Sequence, residues 1–313
     1  MDMESVSIVI PTHDRPACLR RLIEALRAQT TRPAEVIVVS DGAEKVEAGL
    51  LERLQAAGVA VRLIELPCAS SSASRNAGLA AAGGEIVFCL DDDMIPAPDL
   101  LAKLLGLYAQ DQDRRVAGIG VPYAEANRTE QWRWWEWAFR LLGRVRWRPR
   151  RVAARYVRLP SELARELTPA DMISGGAMSL RREVARGARF DETFRGYAFG
   201  EDRELSYRLG RDHALFLTRA LRVTHAPAEG GRGDWRSRGR AYADNVLHIV
   251  RTGTEGGAGT WLLVVIDLAG AFVQHLAWAL LTRKRHNLDF ALGLAGALLR
   301  HNLLLIKEML CGR

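Results

Sequence analysis

Three consecutive carboxylates follow an apolar stretch of strand length. The stretch is Glu85–Leu90, and Asp91, Asp92 and Asp93 come directly after it. In open α/β sheets, ligands bind just beyond the carboxyl ends of the strands. Three adjacent negative charges repel one another, so a cation must offset the cost of holding them together. Mg²⁺ and Mn²⁺ prefer carboxylate oxygens, and the triplet therefore predicts a divalent cation that arrives with a diphosphate. Acidic capping of the helix that starts near Pro96 is the alternative.

Polar segments also follow the first two predicted strands. Pro11-Thr12-His13-Asp14-Arg15 comes after the first strand, and Ser40-Asp41-Gly42 comes after the second. A carboxylate at a strand end can accept hydrogen bonds from a base or a ribose, and a glycine lets the backbone approach a ligand. Arg75, in Ser74-Arg75-Asn76-Ala77-Gly78, can clamp phosphate or base oxygens. Each segment taken alone is also typical of an ordinary turn or a surface helix.

Strands and helices alternate through the first third of the chain. This alternation predicts right-handed parallel crossovers and a doubly wound, mostly parallel sheet, hence an α/β fold. The predicted strands are Val6–Ile10, Glu35–Val39, Val59–Leu66, Glu85–Leu90 and Val116–Val121. The predicted helices are Pro16–Gln29, Val46–Ala57, Ser70–Ala82 and Ala97–Tyr108.

The pattern changes beyond Tyr123. A Trp-rich helix is predicted over Gln131–Leu142, and seven arginines between Arg144 and Arg158 form a basic patch. Trp and Arg together suit the bilayer interface and anionic headgroups. Packing against the C-terminal helices and stacking on an acceptor sugar are the alternatives for the Trp-rich helix. The elements predicted to follow are a strand over Met172–Leu180, a helix over Gly200–Arg211 and a short strand over Leu221–Thr224.

Two apolar helices are predicted after a glycine-rich hinge at Gly253–Gly259. They are Trp261–Leu281 and Leu288–Ile306. The first is long enough to cross a bilayer, but polar residues interrupt both. Polar groups in such helices usually face a partner, so Asp267 and Arg300 are predicted to face each other across a hairpin. A transmembrane or re-entrant hairpin, an interfacial hairpin and a soluble dimerisation pair all stay open, and the composition favours membrane association.

Length and composition limit the remaining possibilities. The chain has 313 residues, enough for one large domain with an appendage, and a net charge of +7. Its basic residues are nearly all Arg, which a GC-rich genome also produces, so we expect no nucleic-acid partner. The four cysteines lack metal-ligand spacing and suggest neither a zinc site nor a disulfide framework. No signal peptide is recognised near Met1, and a cytoplasmic location is expected.

Taken in order, the polar segments resemble glycosyltransferase family 2, the inverting transferases with the nucleotide-diphospho-sugar (GT-A) fold. The resemblance covers roughly residues 5–225. Ser40 stands where many members carry a second acidic residue, so base recognition rests on Asp41. No Gln-x-x-Arg-Trp motif follows Asp202, which favours transfer of a single sugar. The matching segments are Ser7–Asp14, Glu35–Gly42, Ser74–Gly78, Leu90–Met94, Gly175–Arg181, Phe190–Phe194, Gly200–Asp202 and Val223–His225.

This resemblance implies a role for each candidate residue. Asp91 and Asp93 hold the divalent cation, with Asp93 as the more direct ligand, and His225 completes the coordination. Asp202 is the general base, and Glu201 beside it can substitute for it or orient it. Acidic capping of the helix they begin is compatible with both roles. The residues implied to bind the nucleotide sugar are Pro11, Thr12, Asp14, Asp41, Arg75, Asp92, Gly175 and Gly176.

The sequence therefore predicts a GT-A catalytic domain over residues 1–228 and a C-terminal, membrane-associated helical region over residues 229–313. The nucleotide-sugar half of the catalytic domain covers residues 1–123 and the acceptor half residues 124–228. The predicted activity is metal-dependent, inverting transfer of one sugar from a nucleotide-diphospho-sugar to a hydroxyl of a glycan or lipid-linked acceptor. The predicted location is the inner face of the cell membrane.

Two other classes of protein are alternatives to this prediction. A sugar-nucleotide pyrophosphorylase opens with a glycine-rich, basic phosphate loop after its first strand, and residues 11–15 are not such a loop. A non-catalytic membrane or nucleic-acid binding protein has no need of a base beside a cation site. The glycosyltransferase is therefore the favoured prediction.

Overall fold

The structure is a computed structural model that describes residues 5–67, 70–125, 152–194, 199–226, 234–253 and 258–311. Backbone contacts divide these residues into two compact units. The first unit comprises residues 5–67, 70–125, 152–193 and 201–226, and the second comprises residues 194, 199–200, 234–253 and 258–311. The predicted Trp-rich helix and arginines 144–151 lie outside the described residues.

Within the described residues, the first unit contains a mixed eight-stranded sheet and a three-stranded sheet. The large sheet has the order β3-β2-β1-β4-β9-β6-β10-β8, and the small sheet has the order β5-β11-β7. In chain order the strands are β1 Val6–Thr12, β2 Glu35–Ser40, β3 Ala60–Glu65, β4 Ile86–Leu90, β5 Met94–Pro96, β6 Gly118–Gly120, β7 Tyr123–Glu125, β8 Leu167–Pro169, β9 Ala177–Arg181, β10 Leu215–Thr218 and β11 Val223–His225.

Most pairings in the large sheet are parallel. The four strands β3, β2, β1 and β4 run parallel, and β10 is parallel to β6. The antiparallel members are β9, between β4 and β6, and β8 at the edge beside β10. The predicted α/β class with a doubly wound, mostly parallel sheet is confirmed.

Helices cover both faces of this sheet. They are α1 Pro16–Arg27, α2 Ala48–Gln55, α3 Ser71–Ala81, α4 Leu100–Ala109, α5 Ser161–Glu166, α6 Arg182–Gly187 and α7 Glu201–Leu209. In β1, Ile8 and Ile10 pack in the core with α1, α2 and α4, whereas Val9 packs in the core with α3, α6 and α7. All three residues are fully buried, as expected for a parallel strand covered on both faces.

Two strands of the large sheet lie outside the predicted elements, and a third begins later than predicted. The unpredicted strands are β8 and β10, which hydrogen-bond to each other in an antiparallel pair. The strand predicted over Met172–Leu180 begins only at Ala177, because the chain turns just before it. In this turn the Ala177 amide donates to the Ser174 carbonyl at 3.1 Å.

The second unit contains three helices within its described residues. They are α8 Trp235–Gly253, α9 Ala258–Thr282 and α10 Arg285–Cys311. The predicted C-terminal apolar helices are confirmed as α9 and α10, whereas α8 was not predicted. The predicted domain boundaries at residues 123 and 228 stay predictions.

Polar side chains of α9 and α10 pair with α8. Tyr242 donates to Asp267 at 3.0 Å, and Arg300 donates to Asp244 at 3.4 Å. The second oxygen of Asp244 lies 2.8 Å from His301 Nε2. These contacts replace the predicted pairing of Asp267 with Arg300, because α8 supplies partners that the prediction lacked.

Candidate active site

The polar segments at the carboxyl ends of β1, β2 and β4 lie at one edge of the large sheet. The three strands are parallel neighbours, and their register places Thr12 beside Ser40 and Val9 beside Cys89. Their carboxyl ends therefore meet where open α/β sheets bind ligands.

Asp92 is the most buried member of the carboxylate triplet. It is 2% exposed, and it accepts hydrogen bonds from Thr12 Oγ1 at 2.8 Å and from Arg15 at 3.3 Å. Burial raises the pKa of Asp92 to about 6, opposed by Thr12 and Arg15 and reinforced by Asp91 and Asp93. Asp92 thus joins the triplet to the last residue of β1 and to Arg15 just beyond it.

Asp93 lies beside His225. Strand β11 pairs with β5 so that His225 is opposite Met94, and His225 Nε2 is 3.4 Å from Asp93 Oδ2. A terminal nitrogen of Arg15 lies 3.5 Å from the same oxygen. The small sheet therefore brings two predicted cation ligands together.

Arg75 joins Asp91 to Glu201. Its Nη2 donates to Asp91 at 2.8 Å, and its Nη1 donates to Glu201 at 2.9 Å and to Ser71 Oγ at 2.9 Å. Arg75 is 4% exposed, and its guanidinium carbon is 5.3 Å from the centre of the Phe190 ring. Burial opposes the charge, but Asp91 and Glu201 raise the pKa of Arg75 well above its ordinary value. One side chain thus connects the predicted cation site with the predicted base segment.

The neighbours of Arg75 hold α3 in position. Ser74 donates to Asp41 at 2.8 Å. The Asn76 side chain donates to the Phe190 carbonyl at 2.9 Å and accepts from the Phe190 amide at 2.7 Å. A Cβ added at Gly78 would lie 2.1 Å from a methyl carbon of Val9, so the helix packs directly on β1. The segment Ser74–Gly78 therefore fixes the position of Arg75.

Asp202 lies at the start of α7, next to the two glycines that precede β9. The Gly175 amide donates to Asp202 at 3.2 Å. A Cβ added at Gly175 would lie 3.3 Å from Asp202 Cβ and 3.4 Å from the guanidinium carbon of Arg75. A Cβ added at Gly176 would lie 3.0 Å from Asp91 Oδ2. The glycines therefore allow Asp91, Arg75 and Asp202 to converge.

Glu201 is a buried carboxyl beside Asp202. Burial raises the pKa of Glu201 to about 7, opposed by Arg75 and reinforced by the charges of Asp202 and Asp91. Glu201 therefore changes its charge close to neutral pH.

Asp41 is held by protein groups at both oxygens. His13 Nδ1 lies 2.9 Å from one oxygen, and the Ser70 amide and Ser74 hydroxyl each donate to the other at 2.8 Å. The predicted base-binding carboxylate thus also fixes the start of α3.

Asp14 adopts the left-handed backbone region, with a φ of 50°. Its Oδ1 accepts from the Glu44 amide at 2.7 Å, and a Cβ added at Gly42 would lie 2.1 Å from that oxygen. Gly42 is therefore required by the close approach of Asp14. Thr12 and Asp14 line an open cleft, and Pro11 pairs with Val39 within the sheet.

His13 and Arg15 were not among the predicted site residues. His13 contacts Asp41, and Arg15 contacts Asp92 and approaches Asp93. Their position in the strand-end segment was a usable signal, but the Arg15 contacts depend on β1 and β4 being neighbours in the sheet.

No trio of His, Cys, Asp or Glu side chains forms a ready-made metal site in the part of the chain that the structure describes. Asp93 and His225 are adjacent, whereas Asp91 is held by Arg75. Carboxylate oxygens and an imidazole are donors that suit Mn²⁺, so the residues present fit the predicted cation.

Comparison with known proteins identifies the family. The family model for glycosyl transferase family 2 matches residues 7–186, which is more than half of the chain. The chain belongs to glycosyltransferase family 2. This membership confirms the resemblance and sets aside the pyrophosphorylase alternative. The matched range includes the carboxylate triplet and Arg75, whereas Glu201, Asp202 and His225 lie beyond it.

Individual relatives are distant. The chain is 24% identical to the putative glycosyltransferase EpsH of Bacillus subtilis, over 41% of this chain and 38% of EpsH. It is 28% identical to the validoxylamine A glucosyltransferase of Streptomyces hygroscopicus, over 68% of this chain and 49% of that protein. The first relatives are thus matched over about two fifths of their length.

A solved structure supports the fold. The mannosyltransferase PcManGT from Pyrobaculum calidifontis, in complex with GDP-Man and Mn²⁺, aligns with a TM-score of 0.55 and 18% identity. The alignment covers 94% of this chain and 87% of PcManGT. This similarity confirms the GT-A fold.

The raised pKa of Glu201 predicts a pH-dependent stability. The pKa of the Glu201 carboxyl is 4.5 in the unfolded chain and about 7 in the folded protein, so the folded protein binds the proton more tightly. The stabilisation that this proton gives the fold is full below pH 4.5 and is lost as the pH rises through about 7. Gln keeps the acceptor oxygen but cannot ionise. Between pH 4.5 and 7.5, the free energy of unfolding of Glu201→Gln relative to wild type should therefore rise by about 1 to 3 kcal/mol. Urea unfolding in EDTA measures this, with exposed Glu52→Gln as the control. A difference that does not vary with pH would contradict the burial of this charge.

Proposed function

We propose that the protein is a metal-dependent, inverting glycosyltransferase that moves one sugar from a nucleotide-diphospho-sugar to an acceptor hydroxyl. The observation that carries the proposal is that Arg75 holds Asp91 and Glu201 together, with Asp202 directly beside Glu201. This arrangement joins a carboxylate cluster suited to a diphosphate-bound cation with a carboxylate suited to general-base catalysis.

The donor is proposed to bind at the edge formed by β1, β2 and β4. Asp91, Asp93 and His225 would hold Mg²⁺ or Mn²⁺. When bound, the cation supplies positive charge that stabilises the leaving nucleoside diphosphate. The residues proposed to surround the nucleotide sugar are Pro11, Thr12, Asp14, Asp41, Asp92, Gly175 and Gly176.

Asp202 is proposed to act as the general base. It takes the proton of the acceptor hydroxyl while that oxygen attacks the anomeric carbon from the side opposite the diphosphate. The bond between the anomeric carbon and the diphosphate oxygen breaks, and the configuration inverts. Gly175 fixes one Asp202 oxygen by its hydrogen bond.

Arg75 is proposed to position the site, which refines its predicted role as a clamp on the nucleotide. Both of its terminal nitrogens already donate to Asp91, Glu201 and Ser71. It therefore sets the distance between the donor carboxylates and the start of α7.

The acceptor is proposed to be a glycan or a lipid-linked intermediate at the inner face of the cell membrane. Among the described residues, α9 contains a 20-residue segment, Leu263–Thr282, that is long and apolar enough to cross a bilayer. Only 11% of its most apolar window is buried, whereas a core helix of a soluble protein is mostly buried. A homodimer built on these helices is the alternative.

A screen of nucleotide sugars tests the reaction and its stereochemistry. The protein is incubated with Mn²⁺ and each donor, with water as a surrogate acceptor, and proton NMR records the sugar that is first released. A donor with an α linkage should yield the β anomer before mutarotation. Release of the α anomer first would contradict inversion.

A further inference from the structure

The outward face of α9 is apolar along the length of the helix. The large exposed residues are Val265, Ile266, Val273, Leu280 and Leu281, between 41% and 74% exposed. The other exposed positions that the structure describes in α9 are Ala269 and Gly270. Apolar patches of this extent mark a surface that contacts a partner or a membrane.

The helix α10 carries a second exposed apolar stripe. Leu288, Leu292 and Leu299 lie on one face of the helix and are 40%, 44% and 64% exposed. Both helices of the hairpin therefore present apolar side chains to their surroundings.

Three polar side chains in the middle of the hairpin helices contact other helices of the unit instead of the outward face. Asp267 accepts from Tyr242, and His275 Nδ1 lies 3.2 Å from Asn287 Oδ1. His301 contacts Asp244 of α8. A surface helix of a soluble protein has the opposite arrangement, with polar residues outward.

The helices α8 and α10 pack closely, with a glycine of each helix against the backbone of the other. A Cβ added at Gly239 would lie 2.0 Å from the Phe290 carbonyl oxygen, and one added at Gly293 would lie 1.9 Å from the Arg236 carbonyl oxygen. We therefore expect α8 and α10 to take the same position relative to a membrane.

This packing disfavours a hairpin that spans the bilayer. Among the described residues, only α9 has the length and composition of a membrane span. If α9 and α10 crossed together, the ion pair of Asp244 in α8 with Arg300 in α10, whose side chains are 43% and 58% exposed, would enter the hydrocarbon core. Charged side chains there are costly unless they reach a polar partner or water.

One end of the three-helix unit carries a cluster of cations and an aromatic residue. Arg283, Lys284 and Arg285 are exposed at the turn between α9 and α10. The neighbouring His286 stacks on Trp235 at 4.6 Å, and the guanidinium carbon of Arg238 lies 4.0 Å from the centre of the same Trp ring. Trp with Lys and Arg is typical of contact with anionic headgroups.

We propose that α8, α9 and α10 form an anchor that lies in the plane of an anionic membrane surface. The apolar stripes of α9 and α10 enter the boundary between headgroups and acyl chains, and the basic end contacts the headgroups. This inference rests on the proposed membrane association and specifies its geometry.

Depth-dependent quenching in the full-length protein tests the orientation. Cys68 and Cys311 are replaced by Ser, and a fluorophore is attached to Val265→Cys or to Leu280→Cys. Cys18 and Cys89 are buried. The vesicles contain phosphatidylglycerol and lipids brominated at different depths.

If the helix lies in the plane of the interface, both probes should report one depth, about 5 to 10 Å below the headgroups. The two positions are fifteen residues apart, about 22 Å along a helix. Depths that differ by most of that length would show a spanning helix and overturn the proposal.

Substitutions on the exposed face test the contact itself. Val265→Ser combined with Val273→Ser should weaken vesicle binding about tenfold or more without lowering the melting temperature, because both residues are exposed. Leu63→Ser, at a residue of β3 that is 40% exposed, is the matched control and should bind as wild type does. Equal binding by the double variant would overturn the proposal.

Two further readouts separate this inference from its rivals. One rival result is that the full-length chain fails to bind vesicles and sediments as a stable dimer. That result would assign the apolar face to a second copy of the chain and contradict the membrane anchor. Hydrolysis of a soluble nucleotide sugar is measured in parallel. Hydrolysis without vesicle binding overturns the anchor alone, whereas vesicle binding without hydrolysis of any donor counts against the proposed function and leaves the anchor supported.

Discussion

Asp202→Asn should abolish sugar transfer while donor binding persists. The carboxylate acts on the acceptor hydroxyl and not on the diphosphate, and the loss of a general base costs about 10² to 10⁴ in rate. Asn keeps an oxygen that can accept from the Gly175 amide, so the start of α7 should stay in place. Turnover of the donor with acceptor and calorimetric titration with nucleoside diphosphate measure the two effects separately.

Two matched variants make this result specific. Asp212→Asn removes an exposed carboxylate just beyond the same helix and should leave the rate unchanged. Glu201→Gln shows whether the neighbouring carboxyl shares the role. Near-normal turnover by Asp202→Asn with a large loss in Glu201→Gln would transfer the base assignment to Glu201.

Asp93→Asn should remove cation-dependent nucleotide binding. Asp93 is the predicted direct ligand, and its carboxylate lies within 3.4 Å of His225 Nε2. Loss of a group that merely supports a metal ligand already costs about 10- to 100-fold in metal affinity, so loss of a ligand itself should cost at least about 100-fold. Titration of Mn²⁺ in the presence of nucleoside diphosphate measures the change, and transfer should fall in parallel.

The control for this substitution is another Asp→Asn change. Asp99 lies at the start of α4, is paired with Lys103, and its side chain is 42% exposed. Asp99→Asn should bind Mn²⁺ and nucleotide as wild type does. An Asp93→Asn variant that retains wild-type affinity for Mn²⁺ would remove Asp93 from the proposed coordination.

The first half of the fold could be predicted because the apolar patterns of its strands and helices agree with the elements that form. Strands β1, β2 and β4 are buried on both faces, so they appear in the sequence as continuous apolar stretches between helices of regular apolar spacing. The short strands carry little such signal. Strand β8 has three residues and ends in Pro169, and its pairing with Phe216 of β10 joins distant parts of the chain.

The candidate residues were predictable by type, but their contacts were not. The sequence indicated Arg75 as a group for phosphate or base oxygens, whereas the structure gives it Asp91 and Glu201 as partners. The bond to Glu201 joins residues 126 positions apart, and it requires α3, the end of β4 and the start of α7 to converge. No local pattern encodes this convergence. The pairing of Asp267 with Tyr242 was missed for a similar reason, because α8 lacked a recognised helical signal.

Calorimetry of nucleoside diphosphate binding tests the central proposal most directly. The diphosphate must approach Asp91, Asp92 and Asp93, and without a cation its negative charge would face theirs. UDP and GDP are titrated into the protein with Mn²⁺ and, separately, with EDTA. At least one should bind with Mn²⁺, and neither should bind with EDTA. Equal affinity in both conditions would contradict the assignment of the carboxylate triplet as the cation site of a metal-dependent glycosyltransferase.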